Sequence, residues 1–559
     1  MLIRAATACF ATILLSASSL AQRKPAESTP PKFTARAELV QLTVLVTDKS
    51  GAHVSGLKPE DFVVKDNGEA QTVAFFEEIK SVPQAVGSIA QPSAASSPAT
   101  AQSNLQLAPV AQPLIIIAID RINTPALDQG SGRLALAHFL AEAIQPGTLV
   151  SLVTIDRGGM HLLHPFTADT APLIALLKGT PSRTAEHELA RDPLDDPAIL
   201  SLTVENRSKI ASAIFTENVL VRKGAIDGTL DAMNQLAQAF AAVPGRKSLI
   251  WATAGFPFRV VDPQHPLLTY LGNELPNQSL AYERTFRELC RANIAVYPVD
   301  VRGLTNPAVV SADLSARNSN IRRVNRLPEA GESARLDQTE SFITMESFAK
   351  ATGGRAFFGH NNLVASFQGA ARDSEAYYVL GYYLKEPKPG WHSLNVRANG
   401  DAHVRTRSGF FVLKEAPDSR EANAAAIALA LTSPLDFTAL SISATWEQAP
   451  GSGGKREIRF SIVLLENAVA IDEASQNHVH LDFLAVARGV SQKSEKPAAQ
   501  LRKVFDTNLS PDGVAQIRES GVTYSDALRL APGHYNVRFV VRDNLSGKTG
   551  SLTVAIDVT

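Results

Sequence analysis

An unbroken apolar run, Leu114 to Ile119, ends at a single carboxylate, Asp120. A run of this length predicts a strand buried on both faces, as in a parallel sheet covered by helices. In such sheets, ligands bind at the carboxyl ends of the strands. Asn123 and Thr124 follow in the short polar loop. The loop at this strand end is therefore the first candidate for a binding site.

Other pairs of reactive side chains are weaker candidates. His161 and His164 lie three apart on a predicted strand, so they face opposite sides. His478 and His480 share a face, but two histidines alone form a surface pair more often than a zinc site. The sequence contains no Gly-x-Ser-x-Gly, His-Glu-x-x-His or complete phosphate-binding Gly-Lys motif. It therefore offers no nucleophile with a base and no metal with an open position, and we expect no catalytic residues.

Composition limits the class of protein. The chain has 559 residues, of which 45% are hydrophobic and 19% are charged. This length predicts more than one domain, and this composition is typical of folded soluble domains. A formal net charge of −1, without a basic stripe, argues against nucleic acid as a partner.

The first 21 residues predict a secretory signal peptide. Arg4 gives the positive start, Ala5 to Leu20 is apolar and rich in small residues, and Ser19-Leu20-Ala21 fits a cleavage site. The alternative is an uncleaved membrane anchor. No later stretch approaches the roughly 20 apolar residues of a transmembrane helix. We therefore expect an exported protein, periplasmic or secreted, in which Cys290 is the one remaining cysteine and a buried structural thiol.

The apolar patterns divide the mature chain into regions of different structure. The predicted fold is a multi-domain combination of α/β and all-β parts: an open, mostly parallel α/β sheet flanked by a β-rich N-terminal segment and a C-terminal β-sandwich. The predicted boundaries are a β-rich segment at 22–81, an Ala/Ser/Pro linker at 82–113, the α/β domain at 114–375, a β segment at 376–414, a helical link at 415–439, and the sandwich at 440–559. Neither 35–81 nor 376–414 has enough strands for a core of its own, so we expect them to form one unit around the inserted α/β domain.

Within the α/β domain, strand and helix patterns alternate. The predicted strands are Leu114–Ile119, Leu149–Ile155, Leu249–Thr253, Ile294–Val299 and Arg355–Phe358. The predicted helices lie near Arg133–Ile144, Ala171–Leu177, Ala225–Ala242, Leu280–Cys290, Glu340–Thr352 and Leu363–Arg372. Two intervals, 179–224 and 302–339, lack clear periodicity and are expected to be loops. The second holds Arg317, Arg322, Arg323 and Arg326, which we expect to form a solvated face, with an anionic partner as the alternative.

Four sequence segments carry a resemblance to a known family. They are the stretch 42–62, Ile-Asp-Arg-Ile-Asn-Thr at 119–124, Tyr-Val-Leu-Gly-Tyr-Tyr at 378–383, and Val-Arg-Thr-Arg-Ser-Gly-Phe-Phe at 404–411. The central region resembles a von Willebrand factor type A domain, and the chain as a whole resembles the VWFA-related family of acidobacterial proteins. The resemblance covers roughly residues 35–414. It implies a Rossmann-like form for the central sheet.

The resemblance also implies a metal-ion-dependent adhesion site, in which Asp-x-Ser-x-Ser, a threonine and a second aspartate bind a divalent cation. Here Asp120 and Thr124 match two ligand positions, and Thr180 could supply the threonine. The first serine is replaced by Ile122 and the second aspartate by Ala254, so two oxygen ligands are lost.

We therefore predict a degenerate site formed by Asp120, Asn123, Thr124 and Thr180. Weak Mg²⁺ or Mn²⁺ binding would use Asp120 and Thr124 with Asp128 or Asp156, while Arg121 adds a positive charge nearby. The alternative is that no metal binds and Asp120 orders its loop by accepting hydrogen bonds from backbone N–H groups.

Three functions are compatible with these features. The first is an exported, non-enzymatic module that binds a protein partner in the envelope or extracellular space, since large loops at strand ends suit a protein partner. The second is a metal-assisted hydrolase at the same strand-end cleft. The third is a purely structural envelope scaffold. The sequence favours the first.

Overall fold

The computed structural model describes residues 38–80, 101–104, 112–179, 203–255, 278–304, 341–384, 388–412, 420–466, 468–490 and 496–559. The predicted signal peptide, Thr180 and the arginines of 302–339 lie outside these ranges. Over the described residues the chain is a mixed α/β protein rich in strands, which form five sheets. No helix in these ranges is long and apolar enough to cross a membrane.

The strands are, in chain order, β1 (Glu38–Thr47), β2 (Phe62–Asp66), β3 (Glu69–Gln71), β4 (Phe75–Lys80), β5 (Ala101–Ser103), β6 (Leu114–Asp120), β7 (Leu149–Asp156), β8 (Gly159–Thr167), β9 (Lys247–Thr253), β10 (Ile294–Asp300), β11 (Ala376–Leu384), β12 (Gly390–Ala398), β13 (His403–Arg405), β14 (Gly409–Val412), β15 (Ile442–Ala449), β16 (Arg456–Leu464), β17 (His478–Gly489), β18 (Ala499–Asn508), β19 (Val522–Leu530), β20 (Gly533–Asp543) and β21 (Thr549–Val558). The helices are α1 (Ala126–His138), α2 (Thr170–Gly179), α3 (Val204–Ala239), α4 (Gln278–Arg291), α5 (residues 341–352), α6 (Leu363–Arg372), α7 (Arg420–Thr432) and α8 (Pro511–Ser520).

A five-stranded sheet forms the centre of the α/β region, in the order β10-β9-β6-β7-β8. The first four strands are parallel, and β8 closes the sheet as an antiparallel edge. Every residue of β6, β7, β9 and β10 is buried, because helices cover both faces. Apolar residues of α1, α2 and α6 pack on one face, and those of α3, α4 and α5 pack on the other.

Helix α1 begins at Ala126, earlier than the predicted start near Arg133, and two further elements of this region differ from the sequence prediction. Helix α3 begins at Val204, so the second part of the interval 179–224 is helical rather than a loop; the side chain of Thr203 caps it by accepting a hydrogen bond from the Asn206 N–H. The strand predicted at Arg355–Phe358 is reduced to one parallel bridge between Phe357 and Val299.

The N-terminal strands pair with strands that follow the α/β region. β1 lies antiparallel to β11, and β2 lies antiparallel to β12. The two resulting sheets, β13-β1-β11-β4 and β14-β12-β2-β3, share a core that includes Leu42, Tyr378 and Leu394. We call residues 38–80 and 376–412 the β unit. Its hairpin between β2 and β3 turns at Asn67-Gly68, both with positive φ, as an Asn-Gly turn requires.

The C-terminal β region, residues 440–559, contains two antiparallel sheets, β19-β16-β15-β5 and β18-β17-β20-β21. Their inner faces meet in one apolar core, where the rings of Phe460 and Phe539, from opposite sheets, lie 5.0 Å apart. Before it, α7 forms at Arg420–Thr432, within the predicted helical link.

The first of these sheets includes a strand from the predicted linker. Ala101–Ser103 pairs with β15, and the buried side chain of Asn104 donates to the backbone oxygens of Phe437 and Leu440. Part of 82–113 is therefore ordered structure, which corrects the prediction of a linker there. Backbone hydrogen bonds at a sheet edge need no apolar pattern, so the composition of this stretch gave no sign of the strand.

Candidate functional site

The Asp120 side chain lies fully buried at the carboxyl end of β6 and accepts five hydrogen bonds. Its Oδ1 accepts from the backbone N–H groups of Ile122 and Asn123, at 3.0 and 2.9 Å. Its Oδ2 accepts from Asn123 Nδ2 at 2.7 Å, Trp251 Nε1 at 3.1 Å and Thr253 Oγ1 at 2.8 Å. The carboxylate thus ties its own loop to the neighbouring strand β9.

The register of the central sheet explains why these residues meet. In the parallel pair of β6 and β9, Ala118 lies opposite Trp251 and Ile119 opposite Ala252, so Thr253 comes beside Asp120. Asn123 extends the arrangement to α3, because its Nδ2 also donates to Thr229 Oγ1 at 3.0 Å. One loop is therefore fixed to both a strand and a helix.

Thr124 has a similar internal role. Its buried Oγ1 accepts a hydrogen bond from the Ala254 N–H at 3.1 Å, and its backbone oxygen accepts from Gln129 Nε2 at 3.0 Å. The hydroxyl thus joins the loop after β6 to the residue after β9. This is the position at which the resemblance would place a second aspartate, and Ala254 offers only its backbone.

The donor set around Asp120 does not fit a divalent cation. An ionised carboxylate has about four lone-pair positions, and five donors already point at this one. Burial raises the pKa of Asp120, although its hydrogen bonds to Asn123 and Thr253 oppose the shift. Ile122 and Ala254 supply no side-chain oxygen. The geometry therefore fits an internal acceptor that orders the loop better than it fits a metal ligand.

Of the other predicted ligands, Asp156 already has hydrogen-bond partners of its own. Asp156 accepts from the Gly158 N–H at 2.8 Å and lies 3.1 Å from His161 Nε2. Burial raises the pKa of Asp128, and the nearby Arg302 guanidinium opposes that shift. Across the described ranges, no three His, Cys, Asp or Glu side chains converge as a metal-binding group. Thr180 lies outside these ranges, so its predicted role stays a prediction.

Sequence reasoning missed the residues that complete the site. Trp251 and Thr253 belong to β9. Asp300 is the last residue of β10 and forms a bidentate ion pair with Arg302, in which both N–O distances are 2.9 Å. Each lies at or near the carboxyl end of a predicted parallel strand, and that shared position was the available signal. Leu304 follows at the same edge with 66% of its surface exposed.

The remaining candidates have local partners. His478 Nε2 lies 2.6 Å from Asp506 Oδ1, and its ring is 6.4 Å from that of His480. Cys290 is a partly buried free thiol whose Sγ donates to the Ala351 oxygen at 3.7 Å, and burial raises its pKa. A raised pKa keeps the thiol protonated, which suits a structural role.

No protein-family model and no curated protein matches this chain.

Proposed function

We propose that this chain is an exported, non-enzymatic binding protein of the von Willebrand factor type A class, whose strand-end surface binds a protein partner without a bridging cation. The observation that carries the proposal is the Asp120 carboxylate, whose lone pairs are all engaged by its own loop and by β9. A type A domain that binds through a metal would need that carboxylate free.

The proposed architecture has support of its own. The order β10-β9-β6-β7-β8, with four parallel strands and helices on both faces, suits a type A domain. Two facing antiparallel sheets with one core suit a β-sandwich for the C-terminal β region. The signal-like sequence of residues 1–21 supports export to the periplasm or beyond.

The surface at the strand ends suits binding rather than turnover. Its loop after β6 is held rigid by Asp120 and Asn123, so a partner would meet a preformed shape. Leu304 presents an exposed apolar side chain at the same edge. Among the residues that the structure describes, no nucleophile and base meet at Asp120, and the hydrolase alternative would need such a pair or an open metal position.

Site-directed photo-crosslinking tests this proposal. A crosslinking residue at Leu304 should capture one discrete partner from an extract of the cell envelope, equally well with Mg²⁺ or with EDTA. The matched control is Leu134 on α1, whose side chain is 59% exposed. It lies about 12 Å from the first residue of α1, measured along the axis of that helix. It should capture nothing.

Two results would contradict the proposal. Capture that requires a divalent cation would restore metal-mediated binding or catalysis at this edge. Equal labelling from positions 304 and 134, or none from either, would favour the structural scaffold.

A further inference from the structure

A small notch lies where the β unit contacts the α/β region. Its volume is about 10 Å³, which is enough for one water-sized body. It is lined by Gln41 and Thr43 of β1, by Arg407, and by Arg246, Cys290, Asn293, Ile294 and Thr352 of the α/β region. We call it the interdomain notch.

Two guanidinium groups line the interdomain notch with unused donors. Arg246 is only 4% exposed. Its Nη2 donates to Tyr297 Oη at 2.7 Å and to the Gly353 oxygen at 2.8 Å, but its buried Nε has no partner among the described residues. The buried Nε of Arg407 is also without a partner there, and its guanidinium lies 5.5 Å from the centre of the Phe410 ring.

The side chains around these arginines do not neutralise them. Burial raises the pKa of Tyr297 to about 12, so its hydroxyl is uncharged. Burial also raises the pKa of the Cys290 thiol, although Arg407 opposes that shift. Two carboxylates act on these side chains, and both have other arginine partners: Asp373 is paired with Arg405, and Glu288 is paired with Arg287 and Arg291. Over the part of the chain that the structure describes, no ion pair joins Arg246 or Arg407 to an acid.

Buried charge without a counter-charge is costly, and two like charges at one contact repel each other. We propose that the interdomain notch binds a monatomic inorganic anion of the size of chloride between Arg246 and Arg407. A guanidinium Nε–H on each side supplies a charge-assisted hydrogen bond to the anion.

The position gives the anion a structural consequence. Arg407 belongs to the β unit, and Arg246 precedes β9 in the α/β region. An anion shared by both holds the two parts together, beside the hydrogen bond from Thr43 Oγ1 to Asn293 Oδ1 at 2.8 Å. Halide binding is therefore linked to the stability of the contact between the two parts.

Thermal unfolding of the full chain in chloride tests the site. Sodium chloride should be titrated against sodium gluconate at constant ionic strength. We expect Tm to rise by about 2 °C and then to saturate, as binding to the folded state requires. Arg407→Gln should abolish the rise. Arg459→Gln, which removes an exposed arginine paired with Glu457, should retain it.

Crystals grown in bromide provide an independent readout if Arg407→Gln fails to fold. An anomalous peak between the Arg246 and Arg407 guanidinium groups would support the site. An ordered water in that position, or identical Tm values in chloride and gluconate for the unmodified chain, would overturn the proposal.

Discussion

Asp120 accepts hydrogen bonds from two directions, from its own loop through Ile122 and Asn123 and from the adjacent strand through Trp251 and Thr253. A carboxylate at a strand end can serve a ligand only while its lone pairs are free. The sequence predicted Asp120 as a candidate ligand, and it offered hydrogen bonds to its own loop as the alternative. The hydrogen bonds from β9 could not be predicted, because they depend on the register of two strands that are far apart in the chain.

We expect Asp120→Asn to destabilise the fold by about 3 kcal/mol, because its amide group would face donors that now meet a carboxylate oxygen. Urea unfolding followed by circular dichroism measures the change. The control is Asp401→Asn, whose exposed side chain pairs with Lys49, and it should stay within about 0.5 kcal/mol of the unmodified chain. Neutral behaviour of Asp120→Asn, or stabilisation of the unmodified chain by Mg²⁺, would show that the carboxylate is available to a ligand.

Elements with strong periodic or turn signals were predictable from the sequence. Leu363–Arg372 forms a helix with the expected bounds, and the Asn67-Gly68 hairpin forms as its turn sequence indicates. The first part of α3 and strand β5 were missed. Neither carries a clear apolar period, and β5 exists because its backbone completes the edge of β15. Such edges are set by tertiary contact, which a local pattern does not contain.

The passage from α5 back to the sheet depends on Gly354. A Cβ atom there would overlap the backbone oxygen of Val296 in β10. We expect Gly354→Ala to cost about 3 kcal/mol in the free energy of unfolding, since backbone cannot move aside as a side chain can.

Gly130→Ala is the matched control for this substitution. Gly130 lies within α1 with open space around the added methyl group, so alanine should stabilise the helix by about 0.5–1 kcal/mol. Chemical unfolding of both variants measures the two effects. Equal changes for both would mean that the chain does not pass close to β10 at Gly354.

At the scale of the whole molecule, the α/β region and the C-terminal β region share one apolar core. Ile427 of α7 and Leu484 and Val540 of the C-terminal β region pack in the same cluster as Met233 of α3. Thr438 adds hydrogen bonds from its N–H and Oγ1 to the backbone oxygens of α3, both at 2.9 Å. The apolar patterns of the sequence divided the chain into separate regions, but they could not reveal that two of these regions share a buried core.

We expect the α/β and C-terminal β regions to unfold together in a single calorimetric transition. Val540→Asp should split that transition in two, because a buried carboxylate would break the shared core while the core between the C-terminal sheets stays intact. Val504→Asp, at an exposed position of β18, should leave one transition. Two transitions in the unmodified chain would contradict a shared core.

The pairing within the β unit has a consequence for biosynthesis. The hydroxyl of Tyr382 donates to the carboxylate of Asp66, 316 residues earlier in the chain. Synthesis begins at the N-terminus, so β1 and β2 exist with uncovered apolar faces until their partners β11 and β12 become available. A chaperone would be needed most during that interval. Because β11 begins at Ala376, a nascent chain halted before this residue should be the species most prone to aggregate.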